Sequence, residues 1–123
     1  MSKKNELITQ QQLDQLKSYA WTLKYRPCTL DEVILPESIL APIKKMVRGD
    51  KKITHLLFTQ VLAGSGKSTL SKCIINELGA DAMAINASKD NGIDVIRSKV
   101  IPFAERHSIF DDAPKVVWLD EFD

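Results

Sequence analysis

Six consecutive residues in the middle of the chain have the types and spacing of a phosphate-binding loop. They are Gly64, Ser65, Gly66, Lys67, Ser68 and Thr69. Glycines let the backbone curl so that its N–H groups point at phosphate oxygens. Lys67 would reach the β and γ phosphates of a nucleotide, and the Ser68 hydroxyl would complete a Mg²⁺ shell. Val61 stands where the usual pattern has its first glycine, which puts the loop geometry and the affinity in question rather than the site.

Two carboxylates, Asp120 and Glu121, follow the apolar run 116–119. An apolar strand delivers its carboxyl end to the rim of an α/β sheet, where ligands bind. Asp120 would hold Mg²⁺, directly or through water, and Glu121 would polarise the attacking water as general base. Acids end many strands, so this pair alone indicates little. Together with the phosphate loop upstream, it predicts both halves of a nucleotide-hydrolysing site.

Alternating strand and helix patterns are predicted to position these residues. The predicted strands are 53–59, 82–86 and 116–119. The predicted helices are 36–47, the segment from the phosphate loop to Leu78, and the segment from about Gly92 or Ile93 to His107. Residues 6–20 form either a short helix or a disordered leader. Strands that alternate with helices give a parallel sheet with right-handed crossovers, so the predicted fold class is α/β.

Composition excludes several classes of protein. The 123 residues carry a net charge of +1, so no whole-chain field favours nucleic acid, and any DNA contact must come from local patches. Apolar runs are far shorter than the roughly 20 residues that cross a bilayer, and the first residues do not resemble a signal peptide. The two cysteines predict neither a disulfide scaffold nor a zinc site. We expect a cytoplasmic protein with no membrane partner.

Ordered blocks over residues 20–123 resemble the sliding-clamp loader ATPases, a family that includes replication factor C small subunits and phage clamp-loader large subunits. The opening signature is Lys24-Tyr25-Arg26-Pro27 with 29–33. The later blocks are 53–58, 64–69, 85–88, 92–97 and 119–121. Residues 34–36, where cellular members usually carry a Gly-Gln pair, resemble the tailed-phage branch, which would place the protein in the host cytoplasm.

The resemblance implies a P-loop NTPase of the AAA+ class, with a parallel sheet and flanking helices. It implies ATP and Mg²⁺ as cofactors. ATP would drive assembly of a spiral hetero-oligomer with other clamp-loader subunits. That assembly would open a ring-shaped sliding clamp and place it at primer–template DNA.

Matched residue by residue, the resemblance also implies roles for individual side chains. The adenine side is lined by Thr22, Leu23, Lys24, Tyr25, Arg26 and Ile34. The loop 64–69 holds the phosphates, Ser68 and Asp120 serve Mg²⁺, and Glu121 is the catalytic base. The helix starting near Gly92 faces DNA in such spirals, so the candidate DNA contacts are Lys89, Arg97 and Lys99. From the residues alone, Lys24 and Arg26 could equally lie in a solvated loop, and Arg97 could pair with Asp94.

Departures from the family pattern are Val61, Leu62-Ala63 in place of a proline pair, and Lys89 where many members have an acid.

The resemblance further implies that a sensor strand lies between the phosphate-loop strand and the acidic strand, and that an arginine finger, a lid and a collar follow. We therefore expect an N-terminal extension at 1–20 and an AAA+ domain at 21–123 that is incomplete, truncated after the third strand. We expect this chain alone to fold poorly, to bind ATP weakly and to turn over negligibly.

Two alternative functions stay open. The chain could be a non-catalytic truncated or split-gene fragment that needs a second half. It could also belong to another AAA+ DNA-replication ATPase, such as a helicase loader.

Overall fold

The computed structural model describes residues 10–49, 53–90, 92–108 and 112–121. Its elements are α1 (Gln10–Tyr19), α2 (Trp21–Lys24), α3 (Glu37–Val47), α4 (Lys67–Leu78), β1 (Asp81–Asn86), α5 (Ile93–Glu105) and β2 (Lys115–Asp120). The predicted helices and the two later strands are confirmed, with α5 ending two residues before His107. The predicted segment 6–20 begins outside the described residues, and its described part is mostly helical. None of the helices in the described ranges combines the length and apolar character needed to cross a membrane.

The two strands pair in parallel. Asp81 lies opposite Lys115, and Asn86 lies opposite Asp120. Helix α5 connects the strands along the chain, as parallel neighbours require. Because parallel strands end at the same edge, the residues that follow Asn86 and Asp120 meet there. The predicted α/β class is confirmed.

The predicted strand at 53–59 is wrong: residues 53–60 belong to neither a helix nor a strand. A strand exists through its hydrogen-bonded ladder with a neighbour. Within the described ranges, no backbone–backbone hydrogen bond joins 53–60 to another segment. Phe58 still packs against the core, whereas Leu57 is exposed. The acidic strand β2 is therefore the second strand of the described sheet, not the third.

The main hydrophobic core joins α3 and α4 to the loop that precedes α3. Its buried members are Leu30, Val33, Leu40, Ile43, Leu70, Cys73 and Ile74. Leu30 and Cys73 are fully enclosed. Burial of a large apolar side chain stabilises a fold by roughly 1.5–3 kcal/mol. The helix that follows the phosphate loop is thus held in place by packing along its length.

The β1–α5–β2 unit is fastened by charged side chains as well as by buried Ile85 and Phe103. The buried carboxylate of Asp81 accepts a hydrogen bond from Arg106 at 3.0 Å. Lys115 Nζ donates to the carbonyl of Phe103 at 3.0 Å and to the next carbonyl at 2.8 Å. A cation suits the C-terminus of a helix because unpaired carbonyls face outward there. The start of β2 is therefore tied to the end of α5.

Candidate functional site

The predicted phosphate loop leads directly into α4. Gly64 and Gly66 adopt φ values of 74° and 89°, the left-handed region that favours glycine. Gly66 is the N-cap, and α4 begins at Lys67. The first N–H groups of a helix lack intrahelical partners, and the helix dipole adds partial positive charge, so this terminus suits an anion. Lys67 Nζ lies 3.3 Å from Ser65 Oγ, which keeps the ammonium beside the loop.

The two residues predicted to serve a divalent cation lie in contact. Ser68 Oγ donates a hydrogen bond of 2.9 Å to Asp120 Oδ1. Ser68 comes from the first turn of α4, and Asp120 ends β2. One hydroxyl and one carboxylate fit Mg²⁺, which keeps several waters and takes substrate phosphates as ligands. Within the described ranges, no cluster of three or more His, Cys, Asp or Glu side chains is arranged to hold a metal ion.

Glu121 lies one residue beyond the strand and is held by the end of β1. Its Oε2 accepts a hydrogen bond of 3.1 Å from Asn86 Nδ2 and one of 3.0 Å from Ser88 Oγ. Ser88 Oγ also lies 2.6 Å from Asn86 Oδ1, and its single proton bonds one of these two oxygens at a time, so the three side chains form one network. The Glu121 backbone has φ 55°, which is uncommon for a residue with a side chain. The carboxylate is exposed and accessible to a ligand.

The sequence motifs predict no role at the nucleotide site for Asn86 or Ser88. The signal available was that Asn86 ends a predicted strand whose parallel neighbour ends at Asp120. Polar residues at the carboxyl ends of adjacent parallel strands meet at one edge, which is where α/β ligands bind. The pairing of Asn86 with Asp120 in register shows this edge directly.

The residues predicted to line the adenine side lie on α2 and after it. Thr22, Leu23, Lys24, Tyr25 and Arg26 are all exposed, and Ile34 is 98% exposed. Lys24 Nζ lies 5.1 Å above the Tyr25 ring. Within the described ranges, no hydrogen bond or ion pair joins this group to the phosphate loop. Their assignment to the adenine side stays a prediction.

The three predicted DNA contacts differ in their surroundings. Lys89 is exposed, in the turn after β1. Arg97 is exposed on α5, and of the ion pairs within the described ranges none joins it to Asp94. Lys99 Nζ lies 2.6 Å from Asp90 Oδ2 and is therefore already paired. A contact from Lys99 to a DNA phosphate would require that ion pair to open.

Comparison with known proteins finds similarity over most of the chain. The family described as "ATPase family associated with various cellular activities (AAA)" matches residues 62–123. A replication factor C small subunit of Staphylothermus marinus is 40% identical over 108 residues, and one of Saccharolobus solfataricus is 43% identical over 109. Each alignment covers 84% of this chain and 32% of the relative. Human replication factor C subunit 5 is 38% identical over 114 residues, covering 88% of this chain and 33% of the relative.

These matches confirm the family resemblance that the sequence motifs predicted. The chain spans about a third of the length of the curated relatives it matches.

Proposed function

Because this chain belongs to the AAA family of ATPases, we propose that it is the N-terminal part of the ATPase subunit of a DNA polymerase sliding-clamp loader. In that role it binds ATP with Mg²⁺ and drives clamp opening and loading at primer–template DNA. The observation that carries the proposal is the contact of Ser68 with Asp120 at 2.9 Å beside the phosphate loop. It brings residues from distant parts of the sequence together where an α/β nucleotide site requires them.

Different residues of the chain bind the phosphates, hold Mg²⁺ and activate water. The loop N–H groups and the N-terminus of α4 bind phosphate oxygens, and Lys67 neutralises the charge of the β and γ phosphates. Ser68 and Asp120 would hold Mg²⁺, which when bound neutralises charge on the phosphate oxygens. Glu121 lies one residue further along and accepts a proton from water as the general base. Asn86 and Ser88 orient that carboxylate.

The partners of the assembly belong to the same proposal. They are other clamp-loader subunits in a hetero-oligomer, the sliding clamp and primer–template DNA, in the cytoplasm. Lys89 and Arg97 are exposed and positively charged, which suits contacts to the phosphate backbone. Lys99 would join them after its release from Asp90.

The proposal is tested by two variants that separate binding from hydrolysis. We expect Lys67→Ala to lower ATP–Mg affinity at least about tenfold, because it removes a charge-assisted phosphate contact. We expect Glu121→Gln to keep that affinity while hydrolysis falls by about 100-fold or more, because the amide is not a base. Binding is measured with a fluorescent ATP analogue, and phosphate release is measured with the other clamp-loader subunits, the clamp and primer–template DNA added.

Lys45→Ala is the matched control, since Lys45 is an exposed lysine on α3, and both readouts should stay at the wild-type level. Unchanged ATP affinity in Lys67→Ala would contradict the proposed site. A stably folded wild-type chain that binds no ATP would favour a non-catalytic fragment. ATP hydrolysis that the clamp does not stimulate would favour another AAA+ ATPase, such as a helicase loader.

A further inference from the structure

Side chains on one face of α4 hold the segment 27–30 in place. Cys73 Sγ lies 3.4 Å from the carbonyl oxygen of Pro27, and Asn76 Nδ2 donates to the carbonyl of Cys28 at 3.3 Å. The backbone N–H of Leu30 donates to Glu77 Oε1 at 2.7 Å. Residues three and four positions apart share a helix face, so these contacts are adjacent. We call Cys73, Asn76 and Glu77 the α4 clasp.

An ion-pair network supports the glutamate of the α4 clasp. Arg48 donates to both oxygens of Glu77 at 3.0 Å and to Asp31 at 2.7 Å. Lys44 lies 3.0 Å from the same aspartate. Hydrogen bonding to Arg48 lowers the pKa of Glu77, which therefore stays charged near neutral pH. The Glu77 side chain is only 14% exposed, so its geometry is set by these partners and by Leu30.

The α4 clasp links two parts of the proposed nucleotide site. Helix α4 starts at Lys67 in the phosphate loop, and segment 27–30 directly follows Arg26. Leu30 is fully buried, whereas Thr22–Arg26 are exposed. Because a helix is rigid over ten residues, the α4 clasp fixes segment 27–30 relative to the phosphate loop.

We propose that Asn76 and Glu77 are positioning residues for the base of bound ATP, acting through segment 27–30 on Thr22–Arg26. The inference rests on the proposed function, because it requires that the phosphate loop binds a nucleoside triphosphate and that Thr22–Arg26 contact its base. Two groups of residues then determine the affinity for ATP. The phosphate loop contacts the triphosphate, and the α4 clasp controls only the part of the affinity that comes from the base and the sugar.

The test compares ATP–Mg with inorganic tripolyphosphate–Mg, which has no base, by calorimetric titration of the full chain. We expect ATP affinity to fall about tenfold in Glu77→Ala and about fivefold in Asn76→Ala, with tripolyphosphate affinity unchanged. Glu77→Gln should recover only part of the loss, because its amide oxygen still accepts the Leu30 N–H but its NH₂ group cannot accept from Arg48. Glu105→Ala, which removes an exposed glutamate at the end of α5, is the control and should change neither affinity.

Hydrogen exchange provides a second readout without a ligand. Amides of residues 20–30 should exchange faster in both alanine variants, and those of the phosphate loop should not. If Glu77→Ala does not fold, Asn76→Ala decides alone, since this exposed side chain makes a single bond to the segment. Equal loss for both ligands, or no loss for ATP, overturns the inference and leaves the proposed function intact. A wild-type chain that binds neither ligand overturns both.

Discussion

At the scale of single residues, the site depends on backbone conformations that most residues avoid. Gly66 caps α4 at φ 89°, and a Cβ added there would meet no atom within 4 Å. Glycine is needed at this position for its conformational freedom rather than for space. Glu121 adopts φ 55° despite its side chain, and hydrogen bonds from Asn86 and Ser88 hold the carboxylate. Strain of this kind persists where neighbouring groups determine the geometry, and it is common at functional sites.

Gly66→Ala tests whether the left-handed conformation at this position requires glycine, and Gly79→Ala is its control. Gly79 caps the other end of α4 at φ 56° and is equally open around its Cβ position. We expect each substitution to lower the free energy of unfolding by about 1–2 kcal/mol, the cost of a left-handed conformation. Only Gly66→Ala should also weaken ATP binding, because Gly66 lies in the phosphate loop and Gly79 does not. Urea denaturation and ATP titration give the two values; equal ATP affinities in both variants would contradict the role of Gly66.

At the scale of elements, α3, α4 and the loop between α2 and α3 share one electrostatic network. Hydrogen bonds from Arg48 and Lys44 lower the pKa of Asp31 from 3.8 to about 2, and Arg48 also lowers the pKa of Glu77. In the same network the pKa of Arg48 is raised, most by its hydrogen bonds to Glu77 and next by those to Asp31. The network reinforces the packing that Leu30 makes with α4. Its contribution to stability therefore requires charged carboxylates.

The network predicts a specific loss of stability in acid. Because the folded-state pKa of Asp31 is depressed, the unfolded chain takes up a proton first as the pH falls. The stabilisation is fully present above about pH 4 and is lost progressively as the pH falls towards about 2. Asp31→Asn should lower stability at neutral pH and reduce this acid dependence. Asp14→Asn, an exposed aspartate on α1, is the control. Thermal unfolding from neutral pH down to about pH 2 measures both effects; an unchanged pH profile in Asp31→Asn would contradict the role of the network.

The sequence predicted elements well where a local rule determines them, and less well where a distant partner does. The phosphate loop and α4 follow from glycine spacing and helix geometry, both local properties. The run 53–59 has a strand composition, but a strand also needs a neighbour, which composition does not specify. The positive charge of Lys99 makes it a candidate DNA contact. In the fold, however, Lys99 on α5 lies beside the turn that follows β1 and forms an ion pair with Asp90. Asn86 meets Glu121 only because two strands align in register.

At the scale of the whole molecule, the site lies where two packed groups meet. One group is the core of α3, α4 and the preceding loop, and the other is the β1–α5–β2 unit. They meet where Ser68 contacts Asp120 and where Lys72 Nζ lies 5.3 Å above the Trp118 ring. Residues 53–60 lead into the phosphate loop without a ladder partner among the described residues. On that side of the site, Phe58 packs against the hydrophobic core.

Hydrogen exchange of the free chain should reveal this difference in backbone protection. We expect amides of 54–59 to exchange at close to the rate of an unfolded peptide, because no backbone hydrogen bond from the described part of the chain protects them. The paired amides of β1 and β2 should exchange at least about 100-fold more slowly than those of 54–59. Mass spectrometry after pulse labelling at two protein concentrations makes the measurement. Slow exchange of 54–59 that depends on concentration would mean that copies of the chain pair through this segment. Slow exchange at both concentrations would contradict the open segment and show that it is paired within one chain.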